Sequence, residues 1–178
     1  MIPLWSAIMM KKSFAIGLIL FSIVLVILLV PAIGFYRNHF SKSMRLQDAA
    51  EAGDLDTVKS LIQQGVPINQ TSPFRFGWTP LIGAVFQNQT NVIYYLVESG
   101  ADVNLAGKDG ETPLMWLISR GDEAVPLANY LITHGANLDI KDKNGATVFD
   151  YANSQPPKPK LIETLEKARL EHESKSHK

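Results

Sequence analysis

The chain repeats itself every 33 residues. Gly77-Trp78-Thr79-Pro80-Leu81 returns 33 positions later as Gly110-Glu111-Thr112-Pro113-Leu114, and again, weakened and 35 positions on, as Gly145-Ala146-Thr147-Val148-Phe149. A second motif runs in step with the first: Gly65-Val66-Pro67-Ile68-Asn69, Gly100-Ala101-Asp102-Val103-Asn104 and Gly135-Ala136-Asn137-Leu138-Asp139. A unit of this length is one supersecondary element that cannot bury its apolar face alone, so each copy must stack on the next.

The residues inside the unit specify its parts. Thr79 and Thr112 are placed to cap a helix by accepting a bond from its free N–H groups. Pro80 and Pro113 then occupy the first helical position, where a missing N–H costs nothing. Gly65, Gly100 and Gly135 suit the left-handed residue that ends a helix. Between these signals, Val92, Ile93, Leu96 and Val97 line one face of a second helix, with Gln87 to Asn91 as the turn before it.

The two co-registered motifs resemble the ankyrin repeat, in which Thr-Pro-Leu opens the first helix and Gly-Ala-Asp-Val-Asn follows the second. The resemblance covers residues 43–170 and divides them into four units, 43–75, 76–107, 108–142 and 143–170. The first unit lacks Thr-Pro but keeps Leu46, Ala49, Ala50, Gly53, Val58, Leu61 and Ile62. The third holds two extra residues near Val125–Ala128, with Pro126 restarting its second helix. The fourth has Ala152 in its first helix and resumes after Pro156, Pro157 and Pro159 with Leu161, Ile162 and Leu165. Residues 171–178 read as a charged, disordered tail. Where the family places His after Thr-Pro-Leu, this chain has Ile82, Met115 and Asp150, and Leu117-Ile118 replaces the small pair that follows.

The resemblance implies protein binding through the finger loops and the adjacent end of each first helix. Carried over position by position, it gives Arg75, Phe76 and Trp78 in the first full finger and Phe86 and Gln87 at the next helix end. Lys108, Asp109 and Glu111 follow in the second finger, then Ser119 and Arg120. Lys143, Asn144 and Ala146 are the third finger's counterparts, and Glu51 and Ala52 those of the first unit. The first finger is enlarged: Asn69 to Thr79 spans ten positions, whereas Asn104 to Thr112 spans eight. It carries Phe74, Arg75, Phe76 and Trp78, the aromatic and arginine types enriched in interface hot spots. Phe74 reads as a plug folding back on the capping unit, and Trp116 as a core residue, since the family packs a leucine there.

Composition separates this region from what precedes it. All 17 acids lie at or beyond Asp48, and the first 45 residues carry five bases and no acid. Residues 46–154 hold thirteen acids against six bases, and 155–178 four against six. Phe14 to Val30 is an uncharged run of 17 residues, lengthened to 23 if taken through Tyr36. A membrane-spanning helix needs about 20 such residues to cross about 30 Å of hydrocarbon, and helix is forced because the bilayer offers no partner to backbone groups. The expected organisation is therefore an amino-terminal segment 1–13, a span or signal-anchor at 14–36, a linker 37–42, and the repeats. Ala32 and Gly34 leave a cleaved signal as the alternative, though the run is long for one. Lys11 and Lys12 precede the span while Arg37, Lys42 and Arg45 follow it, so raw counts leave orientation open. Met9-Met10-Lys11-Lys12 reads like a bacterial export signal with Met10 as the start, which favours an exported repeat domain over a cytoplasm-facing one.

Catalytic chemistry is thin. Cysteine is absent, which removes thiolate catalysis, disulfides and Cys-based metal sites. His172, Glu173 and His177 miss the His-Glu-x-x-His spacing, and no Gly-rich phosphate loop or Gly-x-Ser-x-Gly elbow is present. His134 stands where a cation meets a helix C-terminus. The acidic middle segment disfavours nucleic acid. The expectation is an all-α protein: an ankyrin-repeat solenoid of helix–turn–helix units with β-turn fingers, preceded by one transmembrane helix. Its expected function is non-enzymatic: a tethered module that masks, protects or scaffolds a partner protein. It implies no cofactor, metal or small-molecule substrate. The alternative is an assembly factor for a membrane complex that also uses its span.

Overall fold

A computed structural model describes residues 41–154 and 156–176 of the chain. The proposed span at 14–36, the segment 1–13 and the linker up to residue 40 lie outside the described residues. Among the described residues no helix is long and apolar enough to cross a membrane.

Eight α-helices and one 3-10 turn account for the regular structure among these residues, with no strand. They are α1 (41–52), α2 (Leu55–Gln63), α3 (Pro80–Phe86), α4 (Thr90–Glu98), α5 (Pro113–Ile118), a 3-10 turn (Asp122–Ala124), α6 (Val125–Thr133), α7 (Val148–Asn153) and α8 (Pro159–Ser176). They stack as helix pairs. The first helices pack in series, α3 on α5 and α5 on α7, and second helices back them, α3 on α4, α5 on α6, α7 on α8 and α2 on α4. The core runs along this seam through Leu46, Leu61, Leu81, Ile93, Leu96, Leu114, Leu117, Leu131 and Leu161, each at most 2% exposed. From α2 to α7 the helices have only six to nine residues. Alone they would be marginal in water, so stacking stabilises them.

The threonines act as expected at two of the three starts. Thr79 Oγ1 accepts the Ile82 N–H at 3.1 Å, and Thr112 Oγ1 accepts that of Met115 at 3.3 Å. At α7 the roles reverse: Asp150 accepts both the N–H and the hydroxyl of Thr147, at 2.7 and 2.8 Å. The positions where the family has His are occupied by buried apolar side chains, Ile82 and Met115, and by this exposed Asp150. The glycine-led motif forms a ladder across units. Asn69 accepts the Asp102 N–H at 2.9 Å, and 35 positions on Asn104 accepts that of Asn137 at 2.7 Å.

Two expectations need correction. Residues 171–176 are not a disordered tail, because α8 continues to Ser176. Glu166, Lys167, Ala168, Arg169 and Leu170 are strong helix formers, and an Arg169–Glu173 ion pair at 3.3 Å spans one turn. Phe74 does not plug the capping unit; it is 72% exposed.

Asp142 and Asp150 tie the last unit together and make its stability sensitive to acid. The Ala146 N–H, the Tyr151 hydroxyl and the Asn144 N–H all bond the Asp142 carboxylate, holding its pKa below the usual 3.8 despite burial. The Thr147 N–H and hydroxyl lower that of Asp150 in the same way. The folded carboxylates bind protons less readily than the unfolded ones. The stability they confer is therefore present above the ordinary carboxylate pKa and lost as pH falls below it. Thermal melts between about pH 6 and pH 2 should show a falling midpoint, with a shallower fall in Asp150→Asn. An unchanged slope in that variant would contradict the assignment.

Candidate protein-binding surface

The finger loops place the candidate residues. Each finger closes on itself by a backbone bond: Ser72 N–H to Trp78 O at 2.9 Å, Gly107 N–H to Glu111 O at 3.0 Å and Asp142 N–H to Ala146 O at 3.0 Å. The first bridges six positions where the others bridge four, so the two additional residues are absorbed at the tip. That tip holds Phe76 with φ +51°, a left-handed conformation uncommon for any side chain beyond glycine. Neighbouring fingers are then joined in series: the Lys108 N–H reaches Phe76 O at 2.6 Å, and the Lys143 N–H reaches Asp109 O at 2.9 Å.

This stacking gathers four aromatic rings. Trp78 lies 4.8 Å from Phe86 and 5.2 Å from Trp116, Phe86 lies 5.4 Å from Trp116, and Phe76 stands 6.1 Å from Trp78. The Trp116 contacts are edge-to-face, the arrangement favoured by the ring quadrupoles. Phe76 is 67% and Phe86 43% exposed. Together with Gly107, Lys108, Asp109 and Glu111, the rings line a cleft of about 280 Å³. Gly107 makes room: a Cβ there would sit 3.1 Å from the Trp78 ring and 3.2 Å from Phe76 O.

The sequence-predicted residues separate into four groups. Phe76, Trp78, Phe86, Lys108, Asp109 and Glu111 converge on this cleft. Arg75 turns away to α1, where its guanidinium pairs with Asp48 at 2.8 Å and with Glu51. Gln87 is exposed and caps α3 through its backbone N–H. Ser119 and Arg120 border a separate cavity of about 360 Å³ with Asp122, Ser154 and Lys158. Ser119 bonds Met115 O at 3.0 Å, and Arg120 reaches back to Phe86 O at 3.2 Å.

Trp116 corrects the reading as a core residue. It is half-buried, lines the cleft and touches two of the three other rings, Trp78 and Phe86. A leucine position in the repeat became a floor position because Trp78 and Phe86, one unit earlier, stand opposite it. The available signal was the presence of Trp78, Phe86 and Trp116 in adjacent units, although they occupy different positions of the repeat. The Trp116 indole N–H is buried with no hydrogen-bond partner among the described residues, a cost of about 1–3 kcal/mol.

Electrostatics are uneven around the rim. Asp109 is met by Lys143 at 2.7 Å. Glu111 instead takes the Tyr151 hydroxyl at 3.1 Å, and the same hydroxyl contacts Asp142 at 3.0 Å. Burial, then Asp142 and Glu111, push the Tyr151 pKa well above its usual value, so the phenol keeps its proton. His134 stands at the C-cap of α6 with Nδ1 2.8 Å from Tyr130 O. Among the described residues no three His, Asp or Glu side chains converge as a metal site would require.

The stacked helix pairs, turn fingers and exposed ring-lined cleft define a repeat solenoid with a surface suited to binding. The family model for ankyrin repeats (3 copies) matches residues 26–107 and 46–142. The chain belongs to the ankyrin repeat family, a family of protein–protein interaction modules that are typically non-enzymatic scaffolds. It is 32% identical over 118 residues to the mouse ankyrin repeat and SOCS box protein 6, covering 66% of this chain and 28% of that protein. It is 33% identical over 104 residues to a putative ankyrin repeat-containing protein of Treponema pallidum, covering 58% of this chain and 34% of that one. With the putative ankyrin repeat protein YahD of Escherichia coli it shares 38% over 97 residues, covering 51% and 46%. The chain thus spans between a quarter and a half of these relatives' lengths, and none of the three names denotes an enzyme.

Proposed function

We propose that this protein is a membrane-tethered binding module that docks a partner protein in the cleft formed by Phe76, Trp78, Phe86 and Trp116. The observation that carries the reading is the ring cluster itself: four aromatics in contact, two of them exposed, beside a finger tip held in a left-handed conformation. Exposed aromatic clusters and strained backbone mark binding sites more often than they serve packing. The bound protein would be masked or held at the membrane, and confinement raises its effective concentration.

A photo-crosslinking side chain placed at Phe86 in the full chain tests this. A discrete adduct is expected from position 86, saturating with expression of the partner, and none from Glu98 on α4. Equal labelling at both positions would refute a specific cleft.

The tether is part of the proposal. The uncharged run at 14–36 supports a span, and the adjacent Lys11 and Lys12 support an amino end retained in the cytoplasm with the repeats exported, as in a bacterial inner-membrane protein. Reporters fused after Lys178, one active only outside the cytoplasm and one only inside, should give activity outside with the anchor uncleaved. Activity inside would reverse the orientation.

A further inference from the structure

The charge at one end of the cleft narrows the chemistry of what enters it. Glu111 lines the cleft, and through the Tyr151 hydroxyl it faces Asp142. One hydroxyl carries one proton, so it bonds only one of the two carboxylates at a time. Neither acid has a cationic group within 4 Å among the described residues, whereas Asp109 has Lys143 and Asp48 and Glu51 have Arg75. Lys108, on the same rim, is exposed and forms no ion pair among the described residues. The cleft therefore combines an aromatic floor with a negative end that no cation among the described residues pairs.

We propose that the occupant of the cleft is an arginine side chain of the partner protein, its stem crossing Trp78 and Trp116 and its guanidinium set against Glu111. Arginine fits both halves. Its aliphatic stem covers apolar surface while its head stays with a charge. Its planar guanidinium stacks on an indole face and forks onto a carboxylate, which the compact lysine ammonium does less well. Asp142, behind Tyr151, adds to the local negative potential without needing contact. The inference rests on the docking role proposed above but specifies its anchor.

The test uses the full chain in detergent micelles with 15N-labelled tryptophan, which gives three indole N–H signals, from Trp5, Trp78 and Trp116. Trp78→Phe and Trp116→Phe assign them. The probe is N-acetyl-arginine-N-methylamide. Its uncharged citrulline analogue and N-acetyl-leucine-N-methylamide serve as comparisons. Arginine is expected to move the Trp78 and Trp116 signals saturably and leave Trp5 in place, with the citrulline analogue at least about fivefold weaker. Glu111→Gln should reduce arginine to the citrulline level. No saturable shift, or equal binding of arginine and citrulline to the unsubstituted protein, overturns the proposal. That comparison needs no variant, so a misfolded Glu111→Gln would not shield the idea. If the leucine probe binds and arginine does not, the anchor is wrong while the docking cleft stands. If arginine binds but position 86 yields no adduct in cells, the docking role fails and the guanidinium site remains.

Discussion

Replacing Gly110 with alanine is expected to destabilise the protein by about 3 kcal/mol, whereas the same change at Gly145 should cost only about 1 kcal/mol. Both glycines have nearly the same positive φ, +83° and +80°. Both substitutions therefore meet the same left-handed penalty. They differ in what surrounds them. A Cβ on Gly110 would stand 2.9 Å from Asp142 Cα and 3.0 Å from Lys143 N, backbone atoms of the next finger, while one on Gly145 meets nothing within 4 Å. Relief of the clash would part the fingers and stretch the bond from the Lys143 N–H to Asp109 O. Denaturant titration of the two variants side by side is the measurement. Equal losses would mean that the contact between fingers carries no load beyond the turn.

Trp116→Ala is the second large effect, and it is read on binding. Removing the ring takes away the floor against which Trp78 and Phe86 pack at 5.2 and 5.4 Å. Central aromatic anchors of this kind contribute about 2–4 kcal/mol to an interface, so the partner's affinity should fall about 30-fold or more. Crosslinking from residue 76 across a range of partner concentrations would show it as a shift in half-saturation. Phe86→Ala guards against a folding artefact, because Phe86 is exposed and its loss leaves the core intact. It should weaken binding in the same direction with an unchanged melting midpoint. If both variants bind as the unsubstituted protein does, the cleft is not the docking site.

Much of the architecture was legible because it is local and repeated. A Thr-Pro pair sets a cap and a first helical residue within four positions, and a glycine ends a helix without help from elsewhere. Seeing each twice at a fixed interval turned weak signals into a fold. The helical end of the chain was misread because its charges suggested solvent, while the i,i+4 pairing of Arg169 with Glu173 and a run of strong helix formers favoured helix. Phe74 was misread because nothing in its neighbourhood of sequence says which way an enlarged loop turns.

The cleft divides along the same line. The sequence by itself determined which residues stand at the finger tips and helix ends, since the repeat's register assigns them; Phe76, Trp78, Phe86, Lys108, Asp109 and Glu111 follow from that register alone. Only the tertiary structure decided which of them act together. It turned Arg75 back onto Asp48 and Glu51, set Trp116 into the floor, and left Glu111 and Asp142 sharing one hydroxyl. Register is a one-dimensional property, fixed by turns and caps spanning a few residues. Contact between side chains 30 or more positions apart depends on how closely one unit seats on the next, and that distance is set by packing across the whole stack.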